Sequence, residues 1–314
     1  TLSTSSGVFT ANGNSDINGT LSITSTGKYD SDGDFDATGG TITFGGAGFL
    51  EMSGTTTNLG SSFTEGSGTV EYDGTSSQTI FNTTYNNLII DQNSTKTASA
   101  NLDVDGNLTI DNSAVLSMSG SNYDLDLEGD LTVTSGTFTH GSGSHDVAGN
   151  WDDSGNNGGF TPSAGTVTLS GAGSNITTGS DNNFFNLIIN SSGAKSALSE
   201  LDINGDLTVT DGELAMGANN ADVASGKTVT IASSKTLSLS SGIFTANGSS
   251  DINGTLSITT SGKYDADGDF DATGGTITFG GAGFLEMSGS TTNLGSSFTE
   301  GSGTVEYDGT SSQT

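Results

Sequence analysis

The chain has 314 residues, of which 30% are hydrophobic, 49 are Gly, one is Pro and none is Cys. Its 36 acidic residues outnumber six basic residues, all of them Lys, and the formal net charge is -30. A field of this sign repels nucleic acid and anionic lipid, and the absence of Arg removes bidentate phosphate contacts, so we expect no nucleic-acid partner and no insertion of this segment into a membrane.

Short strands with alternating polarity are predicted along the whole chain. Leu102, Val104 and Leu108 share one parity, whereas Asp103 and Asp105 occupy the other, as in a half-buried strand. The strand cores, in chain order, read TLSI, TITF, TVEY, NLII, NLTI, DLTV, TVTL, NLII, DLTV and TVTI. Their spacing of mostly about 20 to 28 residues predicts one coil of a β-solenoid per unit, because hairpins need closer turns. The low hydrophobic content agrees with the thin core of such a fold.

A small recurrent motif marks the corners of the predicted coils. It has the form apolar, x, Gly, x, apolar and occurs at Val104–Leu108, Leu127–Leu131, Val147–Trp151 and Ile203–Leu207. Gly supplies backbone freedom and Asn or Asp supplies side-chain turn bonds, which every corner of a solenoid needs. Trp151 stands at a normally aliphatic inward position of this motif and is interpreted as a packing residue.

A much longer repeat contains these motifs. Thr1–Thr79 recurs as Thr236–Thr314 with seven small differences, which sets a period of 235 residues. We therefore predict one continuous parallel β-helix over residues 1–314, in which 1–79 and 236–314 are equivalent parts of successive repeats. With coils about 4.8 Å apart, about eleven coils per period extend a fibre by roughly 50 Å.

An acidic run is the first candidate site. Asp30, Asp32, Asp34 and Asp36 share one parity and are predicted to line one outer face, with the intervening residues turned inward. Carboxylates in this arrangement are compatible with a Ca²⁺ site, the one cofactor considered. The spacing departs from an EF-hand loop, since Gly33 is at the fourth position and no Glu is at the twelfth. A solvated acidic face is the alternative interpretation.

Apolar residues predicted to face outward form the second candidate site. They lie in strands where both parities are apolar, and they are Phe49, Met52, Tyr85, Ile89, Phe185 and Ile188. A surface this polar has little reason to expose aliphatic side chains unless another element covers them. The two interpretations are lateral contact with other copies of the chain and a loop folded over that face.

Catalytic interpretations find little support in the sequence. His140 and His145 flank a Gly-Ser loop, but their spacing matches no standard zinc signature and no Cys accompanies them. Turn and strand-end positions are the interpretation given to both. Parallel β-helices also host polysaccharide-cleaving enzymes, yet the six Lys residues are scattered and the acids do not converge. The chain is therefore predicted not to be an enzyme.

The segments GTVEYDGTSSQTIFNTTYNNLII and LDVDGNLTI resemble the repetitive β-helical regions of giant surface adhesins and filaments of Bacteroidota. The resemblance covers essentially the whole chain and rests on generic solenoid motifs. It implies export by type IX secretion and an extracellular, cell-surface location. That group includes gliding-motility adhesins and the grappling-hook filaments of predatory bacteria, so the implied partners are other copies of the chain and a prey or host cell surface.

Three functions are consistent with these patterns. The first is the structural shaft of an extracellular multi-chain filament used for attachment to cells or surfaces. The second is the stalk of a monomeric giant adhesin whose ligand-binding tip lies elsewhere. The third is a Ca²⁺-dependent carbohydrate-binding surface built on the acidic run.

Overall fold

A computed structural model describes residues 1–120, 122–155, 159–161, 163–179 and 183–314. These residues form parallel β-strands and no helix, which confirms the predicted all-β solenoid class. They divide into two compact units, Thr1–Asp146 with Asp153–Thr161, and Val147–Asp152 with Pro162–Thr314. Continuity of one solenoid over the whole chain stays a prediction.

The first unit is built from three strands per coil. In chain order its strands, with β23 assigned to the second unit, are β1 Leu2–Thr4, β2 Val8–Ala11, β3 Ser15–Asp16, β4 Thr20–Ile23, β5 Lys28–Ser31, β6 Phe35–Asp36, β7 Thr41–Phe44, β8 Phe49–Met52, β9 Thr57–Asn58, β10 Phe63–Thr64, β11 Thr69–Tyr72, β12 Gln78–Ile80, β13 Thr84–Tyr85, β14 Asn87–Ile90, β15 Thr95–Ala98, β16 Leu102–Val104, β17 Leu108–Ile110, β18 Val115–Ser117, β19 Leu125–Leu127, β20 Leu131–Val133, β21 Thr137–Thr139, β22 Ser144–Val147 and β24 Phe160–Thr161.

Every third strand of this unit stacks on its predecessor. Strands β1, β4, β7 and β10 form one face, β2, β5, β8, β11, β14, β17 and β20 a second, and β3, β6 and β9 begin the third. Like residues lie in register, as in Leu21 opposite Ile42. Val70 pairs with Leu88, so this coil has only 18 residues and is shorter than predicted.

The core consists of the inward parity of each strand. Leu21, Ile42, Leu50, Leu88 and Leu108 have no exposed surface, and the residues between them are partly or fully exposed. Complete burial of one such side chain contributes about 1.5–3 kcal/mol, so a thin core repeated in every coil is sufficient to hold the stack. The alternation that predicted strands therefore also determines the core.

The second unit follows the same plan. Its strands are β23 Trp151–Asp152, β25 Thr166–Leu169, β26 Asn175–Thr177, β27 Asn183–Phe184, β28 Asn186–Ala197, β29 Leu201–Ile203, β30 Leu207–Gly217, β31 Ala221–Val223, β32 Thr228–Ile231, β33 Thr236–Leu239, β34 Ile243–Ala246, β35 Ser249–Ile252, β36 Thr255–Ile258, β37 Lys263–Ala266, β38 Phe270–Asp271, β39 Thr276–Phe279, β40 Phe284–Met287, β41 Thr292–Asn293, β42 Ser297–Thr299 and β43 Thr304–Tyr307. Strands β28 and β30 are long because each runs through a corner and belongs to two faces.

Equivalent sequences adopt equivalent pairings in the two units. Leu256 lies opposite Ile277 as Leu21 lies opposite Ile42, and Lys263 lies opposite Phe284 as Lys28 lies opposite Phe49. Trp151 is fully buried, with its ring 5.1 Å from that of Phe184, so its interpretation as a packing residue is confirmed.

The corner motif has a direct structural explanation. Asn107 donates its backbone N–H to Asn87 Oδ1 at 3.0 Å, and Asn107 Oδ1 accepts the N–H of Asp130 at 2.9 Å. The side chain after the motif Gly thus satisfies a backbone donor of the next coil. A Cβ on Gly129 would lie 2.2 Å from the carbonyl oxygen of Gly106, so the coils approach too closely at this corner for any larger residue.

Candidate functional surfaces

The acidic run turns a corner instead of lining one face. Asp30 lies on β5, which pairs with β2 and β8, whereas Asp36 lies on β6, which pairs with β3 and β9. The four Asp residues alternate with the buried Ser31 and Phe35 and are themselves partly or fully exposed, as their parity predicts. The prediction of a single acidic face is nevertheless wrong, because the chain bends between the two strands.

Two carboxylates of the run hold the backbone of the solenoid. Asp34 Oδ1 accepts the N–H of Thr56 at 2.8 Å, and Asp36 Oδ1 accepts the N–H of Thr38 at 2.9 Å. The hydrogen bond from the Thr56 N–H holds the pKa of the Asp34 carboxyl below its ordinary value, and those from the Thr38 hydroxyl and N–H do the same for Asp36. The equivalent Asp269 makes the same bond to Thr291 at 2.9 Å in the second unit.

The carboxylates of the run are not gathered into a cluster in the part of the chain that the structure describes. Among the described residues, no group of three or more His, Cys, Asp or Glu side chains is placed to hold a metal ion. Asp34 and Asp36 already use an oxygen to accept backbone hydrogen bonds, which competes with ligation. Asp34 and Asp36 therefore have a corner-stabilising role, and Ca²⁺ binding by the run stays a hypothesis.

A row of carboxylates extends from Asp30 across the neighbouring coils. Asp30, Glu51 and Glu71 stack on successive coils, and Lys28 forms an ion pair with Glu51. Burial, together with the carboxylates of Glu51 and Asp91, raises the pKa of Glu71 to about 8. Glu71 therefore retains its proton near neutral pH, which relieves repulsion within the row.

Two of the predicted assembly residues are not on the surface. Met52 and Tyr85 have no exposed surface, so the prediction that they face outward is wrong. Alternation from the buried Leu50 places Met52 inward, and the corner at Asn86 brings Tyr85 and Leu88 both into the core.

The remaining four assembly residues are only partly exposed. The Lys28 ammonium lies 5.3 Å from the ring centroid of Phe49, and Lys227 lies at the same distance from that of Phe185. Ile89 is flanked by Glu71 and Thr109 on the adjacent coils. Ile188 is likewise flanked by two Thr residues. These side chains are isolated, and isolated apolar residues are ordinary on a protein surface.

A buried tyrosine pair accounts for Tyr85. The Tyr72 and Tyr85 hydroxyl groups are 2.8 Å apart, Tyr85 donates to the Phe81 carbonyl at 2.6 Å, and Tyr72 accepts the Phe81 N–H at 3.0 Å. Burial raises the pKa of Tyr72 to about 12. The network satisfies the buried backbone of the corner before β13, and the GTVEY pattern gave no indication of it.

Two of the six lysines are core residues. Lys96 and Lys195 are fully buried. Lys96 Nζ donates to the carbonyl of Gly74 at 2.9 Å and to Ser94 Oγ at 2.7 Å, and Lys195 Nζ contacts the carbonyl of Ala148 at 3.2 Å. Each ammonium group therefore donates hydrogen bonds to carbonyl groups of neighbouring coils. A Lys in a polar strand gives no indication of this role in the sequence.

The two histidines also form a buried pair. His145 Nδ1 accepts the N–H of Leu125 at 3.1 Å, and its Nε2 lies 2.9 Å from His140 Nδ1. The His140 ring stacks on Phe160 with centroids 4.8 Å apart. Burial lowers the pKa of His145 to about 4, and burial beside His145 lowers that of His140 to about 3. Both rings are neutral and buried. His140 directly follows β21 and His145 is the second residue of β22, so the predicted strand-end position is confirmed, and what the sequence did not indicate is their burial.

No family model, curated protein or solved structure matches the chain. Within the described residues, no helix of sufficient length and apolarity to cross a membrane occurs.

Proposed function

We propose that the chain is a segment of the structural shaft of an extracellular filament that serves attachment to cells or surfaces. The observation that carries the proposal is the equivalence of the two copies. Residues 1–79 and 236–314 form the same strands with the same coil-to-coil pairing in separate units. A fold of this kind gains length by adding coils, without requiring a new core.

The polar groups with unusual environments support a structural role. Asp34, Lys96 and the Tyr72–Tyr85 pair each satisfy backbone groups of a neighbouring coil or corner. The unusual environments of these side chains are therefore explained by hydrogen bonds that hold the solenoid together. Because they need no catalytic explanation, we propose that the segment is not an enzyme. Export to the cell surface, type IX secretion and a prey or host surface as target remain part of the proposal on the strength of the sequence resemblance.

Two forms of shaft are compatible with this proposal, a multi-chain filament and the stalk of a single-chain adhesin. The isolated placement of Ile89 and Ile188 favours the stalk, because neither belongs to a continuous apolar seam along which chains would pack. Sedimentation velocity distinguishes the two forms. We expect the 314-residue chain to sediment as a monomer, and a stable multimer that is lost on Ile89→Ser with Ile188→Ser would restore the multi-chain form.

The Ca²⁺-dependent carbohydrate-binding surface has weaker support, since two of its four carboxylates hold backbone N–H groups. Binding to a glycan array that disappears on chelation would establish it. An unchanged Tm after chelation is the result that the structural interpretation of Asp30, Asp32, Asp34 and Asp36 predicts.

A further inference from the structure

A groove crosses the third face of the first unit at a step between two strand ladders. Strands β3, β6 and β9 form one ladder, and the next ladder begins with β12, which pairs with β15. β12 follows β9 on this face, but the described residues 55–99 form no ladder between the two strands. The Thr57 hydroxyl group bridges the step by donating to the Thr79 carbonyl at 2.7 Å. A groove of about 390 Å³ lies over this step.

One aromatic ring lines the groove. Phe81 directly follows β12 and is partly exposed, and Ser99 on the next coil lines the groove beside it. Phe49 and Phe185, which are also partly exposed, each lie against a Lys ammonium group. Among the described residues, no aromatic ring or Lys ammonium contacts the Phe81 ring, so its outer face is open to a ligand.

The buried tyrosine pair fixes the position of Phe81. The Phe81 N–H donates to the Tyr72 hydroxyl oxygen at 3.0 Å, and the Tyr85 hydroxyl donates to the Phe81 carbonyl at 2.6 Å. Ser99 Oγ donates to the carbonyl of the preceding residue, Ile80, at 2.8 Å. Because the backbone at this corner is already held by side chains, ligand binding costs little further ordering of the protein.

The groove is uncharged, although the chain has a net charge of -30. No Asp, Glu, Lys or His is among the described residues that line it. The field of the whole chain disfavours an anionic ligand, and the groove itself offers no carboxylate to a cation. The charge distribution therefore favours a neutral ligand.

The hydrogen-bonding groups of the groove indicate a ligand that carries hydroxyl groups. The Thr79 hydroxyl is exposed and makes no hydrogen bond within the described residues, and Ser99 Oγ can still accept one. A purely apolar ligand would remove water from these groups without replacing its hydrogen bonds. A sugar ring, in contrast, has one face of C–H groups that packs on an aromatic ring and a rim of hydroxyl groups. The groove volume is at the lower end of the roughly 300–1,000 Å³ typical of small-molecule sites, which suits a short stretch of glycan.

We propose that this groove binds a neutral sugar residue of a glycan. Phe81 is the stacking platform, and the hydroxyl groups of Thr79 and Ser99 are the hydrogen-bonding partners. The proposal goes beyond the shaft function, because it gives the shaft a contact of its own with glycan-bearing surfaces. It also requires no metal ion, in contrast to a carbohydrate-binding surface built on the acidic run.

The test begins with a microarray of neutral and anionic glycans, to which the whole 314-residue chain is applied in the presence of EDTA. The neutral oligosaccharide with the strongest signal is then titrated by calorimetry into wild type and variants. Phe81→Ala removes the platform, and Phe81→Trp keeps an aromatic ring there. The matched control, Phe185→Ala, removes a partly exposed ring outside the groove. Circular dichroism and Tm establish that all variants fold.

We expect wild type to bind neutral glycans in EDTA, with an affinity that falls about tenfold in Phe81→Ala, the loss expected for one aromatic stacking contact. Phe81→Trp and Phe185→Ala should both retain binding. Absence of binding to every neutral glycan, binding to anionic glycans only, or equal affinities of wild type and Phe81→Ala overturns the proposal. Binding that disappears in EDTA would assign recognition to a metal-dependent surface and also overturns it. None of these results changes the length of the particle, so the shaft function is tested separately.

Discussion

The buried histidine pair makes the first unit sensitive to acid in a way that can be calculated. The folded-state pKa values of about 3 for His140 and about 4 for His145 lie below the ordinary value of 6.5, so between pH 6.5 and 4 the unfolded chain binds more protons. The contribution of these two histidines to the free energy of unfolding is therefore full above pH 6.5 and declines as the pH falls below that value. At pH 5, about 1.5 units below the unfolded pKa, each histidine lowers the free energy of unfolding by about 2 kcal/mol, or about 4 kcal/mol for the pair.

The variant His140→Phe with His145→Asn isolates this effect. The phenyl ring introduced at position 140 keeps the stacking on Phe160, and the amide oxygen introduced at position 145 replaces the acceptor that the Leu125 N–H now uses. Wild type and variant are compared by urea denaturation at pH 7 and pH 5, with unfolding monitored through the hydrogen exchange of peptides within residues 125–155. Wild type and variant contain the same Asp and Glu residues, so the effect of carboxylate titration on stability cancels in the comparison. Equal losses of stability in wild type and variant between pH 7 and pH 5 would refute the burial of two neutral imidazoles.

Three further changes test other parts of the structure. Glu71 binds its proton more tightly in the folded chain, so its contribution to the free energy of unfolding is full below pH 4.5 and is lost as the pH rises through its folded-state pKa of about 8. Glu71→Gln should therefore raise the Tm more at about pH 8.5 than at about pH 4.5. An equal rise at both pH values would contradict the raised pKa. Tyr85→Phe leaves the Phe81 carbonyl without its buried donor and should cost about 1–3 kcal/mol in urea denaturation, whereas Tyr307→Phe, at an exposed ring, is the control and should be neutral. Gly248→Ala places a Cβ 1.9 Å from the Lys227 carbonyl oxygen and should lower the Tm. The control is Gly13→Ala at the equivalent position, where the added Cβ has no atom within 4 Å and the Tm should not change. Identical Tm values for the two variants would show that the coils are not this close at Gly248.

Alternation alone was sufficient to predict much of the fold. The inward placement of Leu102, Val104 and Leu108 follows from period two, and the near-identical copies indicated a solenoid. The corners were the main source of error, because the inward and outward alternation of side chains along one strand does not continue through the bend into the next strand. That is why the acidic run was predicted on one face and why Tyr85 was predicted to point outward.

Buried polar groups were beyond sequence reasoning for a different reason. Lys96 and His145 belong to residue types that are usually exposed, and their burial depends on partners about 20 residues away on the neighbouring coil. Only the register between coils identifies those partners.

Arrays of one, two and three 235-residue repeats, imaged by negative-stain electron microscopy, test the proposed shaft most directly. The account predicts that each added repeat lengthens the particle by roughly 50 Å, from about eleven coils at about 4.8 Å, at constant width. Particles whose length stays constant while their width grows with repeat number would contradict it.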